Sequence, residues 1–130
     1  MTITARPRPD TTRGTTDRVK TGCGNFYITV NWGEMGVCEV FAQMGKAGGC
    51  VCAQTEAICR LASLALRGGL GVEKVVQQLV GIQCPLPMWE NGVQVVSCAD
   101  AVAKVLQKRA KKGDEDGNGE DDGNGPPTGK

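Results

Sequence analysis

Apolar and polar side chains alternate along the segment Phe26-Tyr27-Ile28-Thr29-Val30-Asn31-Trp32. This period of two predicts a half-buried β-strand. A turn containing two glycines follows at residues 33–36, and residues 37–44 then alternate again, with Val40 and Ala42 on the same face. Two such runs joined by a short turn indicate a β-hairpin. The segments that follow this hairpin predict the rest of the fold.

Two helices are predicted to follow the hairpin. Residues 50–67 form a long helical run that Gly68 and Gly69 end. The side chains expected to be buried along it are Val51, Ala57, Ile58, Leu61, Leu64 and Ala65. Residues 72–80 carry the cleanest helical stripe in the chain, with valines and leucines at i, i+3, i+4, i+7 and i+8, and Gly81 ends it.

The last part of the predicted domain is irregular and then helical. Pro85 and Pro87 exclude a helix over residues 82–87, and residues 93–96 are expected to form a short strand. Ser97 is predicted to cap a final helix, with Asp100 as its capping-box partner. The fold class is therefore α+β, with an N-terminal β-hairpin, two helices, a short irregular or strand segment and a C-terminal helix.

Charge blocks mark the expected domain boundaries. Residues 1–20 are basic, rich in Thr and almost without apolar side chains, which predicts a flexible basic arm. Residues 110–130 are acidic and rich in Gly and Asn, which predicts a disordered tail. Residues 21–109 remain as the foldable domain.

Composition excludes several kinds of function. The chain of 130 residues has no His, so it has no Ser-His-Asp or Cys-His catalytic unit and no His-ligated metal. A net charge of +1 and 4% aromatic residues give no general attraction to nucleic acid or to anionic lipid, so binding of either needs a local patch, and no direct DNA binding is expected. No apolar run is long enough to cross a bilayer, and we expect a cytoplasmic protein.

The seven cysteines divide by position. In a reducing compartment an odd number of thiols is not expected to form a disulfide framework. Cys38, Cys52 and Cys59 lie inside predicted elements and are expected to pack as small hydrophobic side chains. A redox switch between Cys50 and Cys52 is disfavoured, because thiols one residue apart rarely meet the geometry of a disulfide.

The other four cysteines, Cys23, Cys50, Cys84 and Cys98, lie at turns and helix starts. A helix N-terminus stabilises a thiolate, which is the form that binds metal. Four thiolates without His are the donor set of a structural Zn²⁺ site, and a small core would gain stability from it. No CxxC pair occurs, however. The residues alone therefore leave zinc binding, packing at turns and a redox pair open.

The Gly-rich turn before the first helix has a second interpretation. Backbone N–H groups at Gly48 and Gly49, with the charge of Lys46, could bind an anion such as a nucleotide phosphate. The turn lacks the Ser/Thr and the spacing of a P-loop. A tight strand-to-helix connection is the simpler explanation of the glycines.

Several segments together resemble the TSCPD domain, in the order in which that domain has them. They are residues 20–31, 45–50, 61–67, 81–85 and 97–101. The domain is found at the C-terminal end of many adenosylcobalamin-dependent (class II) ribonucleotide reductases, and also alone. Residues 6–9 and 14–16 resemble the linker that joins it to the catalytic barrel. Ala99 stands where the motif that names the domain has Pro, which is expected to relax the start of the last helix.

The resemblance carries expectations about the site. It implies that the cysteines at recurring family positions are the same four, Cys23, Cys50, Cys84 and Cys98, which favours structural zinc as their ligand. The acidic tail stands where full-length reductases often have a Cys-rich tail, so a dithiol-shuttle role is not expected.

The resemblance also carries expectations about function. It implies an accessory or regulatory domain of a B12-dependent ribonucleoside-diphosphate reductase, which supplies deoxyribonucleotides. About 90 foldable residues without a barrel are too few to build a radical thiol, a reducing pair and a substrate pocket, so no catalytic residue is assigned. Adenosylcobalamin is expected only on a partner catalytic chain. The alternative is a free-standing module that binds an anion or nucleotide, or a zinc-stabilised interaction module.

Overall fold

The computed structural model describes residues 2–44, 49–85, 87–90 and 93–116, and within them every side chain except those of residues 49–52, 90, 93 and 111–116. In chain order the elements are β1 (Arg13–Thr21), β2 (Gly24–Gly33), β3 (Gly36–Met44), α1 (Gly49–Arg67), α2 (Val72–Leu79), β4 (Met88–Glu90), β5 (Val93–Val95) and α3 (Cys98–Asp116). The α+β class predicted from the sequence is confirmed.

The main sheet is antiparallel, with strand order β1-β2-β3. The predicted hairpin is confirmed as β2 and β3, in which Val30 pairs with Val40 and Phe26 with Met44. One face of the sheet is buried, because Phe26, Ile28 and Val30 are at most 1% exposed. The core therefore lies between this face and the helices.

Strand β1 differs from the flexible arm expected over residues 1–20. It pairs with β2 along its whole length, from Arg13 opposite Trp32 to Thr21 opposite Gly24. Its inward-facing side chains are mostly polar, which is why hydrophobic periodicity gave no sign of a strand. Asp17 is one of them, and it pairs with Arg109 of α3 at 2.7 Å.

The segment before β1 is tied to two other elements. The Arg6 N–H donates to the carbonyl of Arg67 at 2.9 Å, and the Arg67 Nε–H donates back to the Arg6 carbonyl at 3.0 Å. Arg8 forms a two-point ion pair with Glu39 of β3. The segment thus runs from the C-terminal end of α1, past Glu39, to the start of β1.

Helix α1 has the predicted length but a different buried face. Leu61 is 68% exposed and Leu64 50% exposed, whereas Ser63 is 7% exposed. The reason is the free edge of β3. The Val40 N–H donates to Ser63 Oγ at 3.0 Å, and the Ser63 hydroxyl donates to the Val40 carbonyl at 3.2 Å. A polar side chain is thus buried because it satisfies the backbone of an edge strand.

Helices α2 and α3 begin where the sequence predicts them, but the capping of α3 differs. The side chains of Val102 and Leu106 of α3 are fully buried, and Ser97 Oγ accepts the Asp100 N–H at 3.0 Å, which confirms the cap. The Asp100 carboxylate accepts instead from the N–H groups of Gly81 and Val96, at 2.9 and 3.0 Å. It therefore joins the end of α2 to the start of α3.

Two boundaries near the C-terminus also differ. Strand β4, which the sequence did not indicate, pairs with β5 through Trp89 and Gln94. Helix α3 continues to Asp116, past the boundary expected at residue 109. The rest of the expected acidic tail, residues 117–130, lies outside the described residues.

Candidate functional site

The first cysteine of the predicted set lies in the turn between β1 and β2, which a threonine holds. Thr21 Oγ1 accepts the N–H of Cys23 at 3.1 Å, and the Thr21 hydroxyl donates to the carbonyl of Gly24 at 2.9 Å. Gly24 has φ 130°, a conformation that side-chain-bearing residues rarely adopt. The turn therefore has a defined shape, and it presents Cys23 at the surface, where it is exposed.

The second thiol reaches the same threonine from the far end of the chain. Cys98 opens α3 and is half-buried, with its Sγ 4.0 Å from Thr21 Oγ1. Burial above all, and then the neighbouring Cys23 and Cys84 thiols, raise the pKa of the Cys98 thiol to about 11, although the Thr21 hydroxyl acts in the opposite direction. Cys98 is thus a protonated thiol at neutral pH when no metal is present.

The third thiol, Cys84, is placed by a backbone hydrogen bond. Its N–H donates to the carbonyl of Val96 at 2.9 Å, which fixes the irregular segment after α2 beside the start of α3. Val96 lies two residues before Cys98, so the backbone of Cys84 lies close to the start of α3. The structure therefore brings Cys23, Cys84 and Cys98, which lie far apart in sequence, to one end of the fold.

Asp100 supports this end of the domain without being exposed. It is 0% exposed, and besides the Gly81 and Val96 N–H groups it accepts from Lys104 Nζ at 2.9 Å. Burial acts to raise its pKa, but these hydrogen bonds and the Lys104 charge outweigh burial, so the pKa lies below its usual value. An ionised Asp100 holds together the segments that carry Cys84 and Cys98.

The fourth predicted ligand, Cys50, has a described backbone but no described side chain. Strand β3 ends at Met44, opposite Phe26 and next to the Cys23 turn. Helix α1 runs back along β3, since Ser63 meets Val40. One turn later Arg67 bonds Arg6, two residues before the Arg8 that pairs with Glu39. The first turn of α1, with Cys50, therefore lies toward the same end of the sheet as Cys23.

The described side chains do not by themselves form a metal site. Within that part of the chain, which excludes the Cys50 side chain, no three Cys, Asp or Glu groups are arranged as metal ligands. The donor types still suit Zn²⁺, because thiolates are its usual structural ligands.

The anion candidates are untested, since Lys46 and Gly48 lie outside the described residues and only the backbone of Gly49 is described.

Two cysteines have the packing role predicted for them. Cys38 and Cys59 are 4% and 3% exposed. Burial raises the pKa of Cys59 to about 12, and burial followed by the Glu39 charge raises that of Cys38. Both thiols are protonated and shielded at neutral pH. The Cys52 side chain lies outside the described residues.

Sequence reasoning missed Thr21, the hydroxyl on which Cys23 and Cys98 converge. Its signal is present in the turn Thr21-Gly22-Cys23-Gly24, because Thr often bonds the backbone two residues on. Its contact with Cys98 had no local signal, since the two residues are 77 positions apart.

The family model of the TSCPD domain matches residues 1–110. The chain belongs to the TSCPD domain family. This domain is found in B12-dependent ribonucleotide reductases. No curated protein and no solved structure matches the chain.

The family match includes the segment before β1. In this TSCPD domain, residues 6–9 are tied to α1 and β3 by the contacts of Arg6 and Arg8. Among the described residues, no helix is both long enough and apolar enough to cross a membrane.

Proposed function

We propose that this TSCPD domain is an accessory domain of a B12-dependent ribonucleotide reductase and works beside a separate catalytic chain. The family match over residues 1–110 carries the proposal. Radical reduction of a nucleotide needs a cofactor site, a radical thiol, a reducing pair and a substrate pocket, which a domain of this size has little room to build. The cobalamin chemistry is therefore assigned to the partner, and this chain is assigned a positioning or regulatory role.

We further propose that Cys23, Cys50, Cys84 and Cys98 bind a structural Zn²⁺. The support is topological. The turn before β2, the segment after α2 and the start of α3 each carry one of these cysteines at one end of the fold, and α1 begins toward the same end of the sheet. Zinc would replace the protons of these thiols and link segments that lie far apart in the sequence.

The partner proposal is tested by association. A class II reductase chain that ends before its own TSCPD domain is mixed with this chain, and binding is measured by calorimetry. We expect micromolar or tighter binding. If no heat of binding is seen with folded protein at a concentration of about 100 μM, the accessory role is overturned.

The metal proposal has its own test. Native mass spectrometry of the reduced protein is expected to show one added zinc, ~65 Da, per chain. Cys98→Ser should remove the added mass, and Cys38→Ser, a cysteine outside the set, should keep it. Folded wild-type protein that stays metal-free in the presence of zinc would overturn the proposal without affecting the partner proposal.

A further inference from the structure

The outer face of the main sheet carries aromatic and basic side chains that the proposed function does not use. Arg18 on β1 pairs with Tyr27 on β2, and Tyr27 pairs with Gln43 on β3. In the next row Thr16, Thr29 and Phe41 pair in the same way. Because directly paired residues lie on one face of a sheet, these side chains share the face opposite the core.

The two rings on this face are open to solvent. Tyr27 is 40% exposed and Phe41 45% exposed, even with the N-terminal segment in place. They are diagonal neighbours on adjacent strands, which separates such side chains by about 7–8 Å. A groove of about 960 Å³ runs beside both rings, between β3 and α1. The rings therefore have room for flat ligands to stack on them.

The solvent-exposed charges on the face are positive. Arg18 and Lys20 are exposed, and neither forms an ion pair among the described residues. The carboxylate on this side of the sheet, Glu39, is 1% exposed and is neutralised by Arg8. The uncharged polar groups that accompany the rings are amides and hydroxyls, such as Gln43 and the Thr16–Thr29 hydroxyl pair.

We propose that this outer face, with Tyr27, Phe41, Arg18 and Lys20, binds single-stranded nucleic acid. Exposed rings on a sheet stack on bases, neighbouring cations bind the phosphates, and amides bond the base edges. Strands about 4.8 Å apart make the face wide enough for two or three nucleotides. The overall composition gave no reason to expect such binding, but the fold gathers two of the chain's five aromatic residues into a local basic patch.

The proposal is tested with the full chain and a fluorescein-labelled oligothymidylate of eight nucleotides, followed by anisotropy at low salt. Tyr27→Ala and Phe41→Ala should each weaken binding about tenfold, and Tyr27→Phe should retain it. Arg18→Gln should weaken binding and lower the slope of log K against log salt by about 0.7. The replaced side chains are exposed, so the variants should keep the wild-type circular dichroism spectrum.

Matched controls lie elsewhere on the surface. Trp89→Ala removes an aromatic side chain that is 65% exposed on β4, and Lys74→Gln removes an exposed cation of α2. Both variants should bind as the wild type does.

Several outcomes overturn the proposal. They are no binding at about 100 μM protein, equal binding of duplex and single strand, and wild-type affinity in Tyr27→Ala and Phe41→Ala. If equimolar dATP displaces the oligonucleotide, the ligand of the face is a mononucleotide and not a single-stranded nucleic acid, and the proposal is overturned. If Tyr27→Ala and Phe41→Ala weaken the binding of a reductase chain but not that of the oligonucleotide, the face is a protein interface and the proposal is overturned.

Discussion

The guanidinium of Arg8 donates two hydrogen bonds to the carboxylate of Glu39, with Nε 2.7 Å from Oε1 and Nη2 3.0 Å from Oε2. The Asn31 amide donates to the same carboxylate at 2.7 Å. The side chain of Glu39 is only 2% exposed, although it lies on the outer face of the sheet. A residue outside every helix and strand thus allows a charged group to be buried on β3.

Arg8→Gln should destabilise the domain because it leaves a buried carboxylate without its cation. We expect Tm to fall by about 5 °C. The double variant Arg8→Gln/Glu39→Gln should recover part of this loss, since it also removes the charge. Thermal unfolding followed by circular dichroism measures both. A double variant less stable than Arg8→Gln would contradict this account.

Acid should destabilise the domain through carboxylates that are ionised in the folded state. Burial acts to raise the pKa of Glu39 and of Asp17, but hydrogen bonds and charge from Arg8 and Asn31, and from Arg109 and Lys108, outweigh burial and lower both. Because the folded pKa values are lowered, the stabilisation is complete above about pH 5 and is lost as the pH falls through them. Urea unfolding between about pH 7 and pH 3 measures the loss.

The Glu39→Gln variant is the control for that pH series. Its stability should depend less steeply on pH than that of the wild type, because one titrating group is removed. Parallel curves for the two proteins would show that Glu39 does not contribute.

Ser63→Ala should cost about 1–3 kcal/mol of unfolding free energy, because it leaves the N–H and C=O of Val40 at the sheet edge without their partner. Hydrogen exchange at the Val40 amide should become faster in this variant. Thr16→Ala, which removes an exposed hydroxyl, is the control and should cost less than Ser63→Ala. Equal stability of Ser63→Ala and the wild type would contradict the role assigned to Ser63.

Asp100→Asn should cost about 2–4 kcal/mol, because an amide nitrogen replaces one acceptor oxygen facing two backbone N–H groups and Lys104. The segments carrying Cys84 and Cys98 should loosen together. Both thiols are then expected to react faster with a thiol reagent. Asp10→Asn, at an exposed position, should leave stability and thiol reactivity unchanged.

Thr15→Val should stabilise the domain by about 1 kcal/mol. Thr15 Oγ1 is buried without a hydrogen-bond partner among the described residues, and valine fills the same space without a polar group. Denaturant unfolding measures the gain. Thr16→Val is the matched control. It should not stabilise the domain, because it removes the hydrogen bond between Thr16 Oγ1 and Thr29 Oγ1, which are 2.7 Å apart.

Periodicity predicted the elements whose buried side chains are apolar. The β2–β3 hairpin and helix α2 follow directly from Phe26 to Trp32 and from the valines of residues 72–80. It failed at β1 and on α1, where polar groups are buried for specific partners. Asp17 faces Arg109, and Ser63 faces the backbone of Val40, so neither has a local signal.

In the candidate site too, local features could be predicted and long-range contacts could not. Sequence position separated Cys23, Cys84 and Cys98 from the buried Cys38 and Cys59, because turns and helix starts can be recognised locally. The meeting of Cys23 and Cys98 at Thr21 could not be predicted, since it depends on how β1 and α3 dock across the whole domain.

The ion pair of Asp17 and Arg109 joins residues 92 positions apart. During synthesis the sheet and α1 therefore emerge well before α3, whose Val102 and Leu106 fill the core. Until then Phe26, Ile28 and Val30 have no helix α3 to cover them, and an uncovered apolar sheet face promotes aggregation. Completion of this small domain thus waits for its last helix, and long-range closure rather than local helix formation should limit its folding rate.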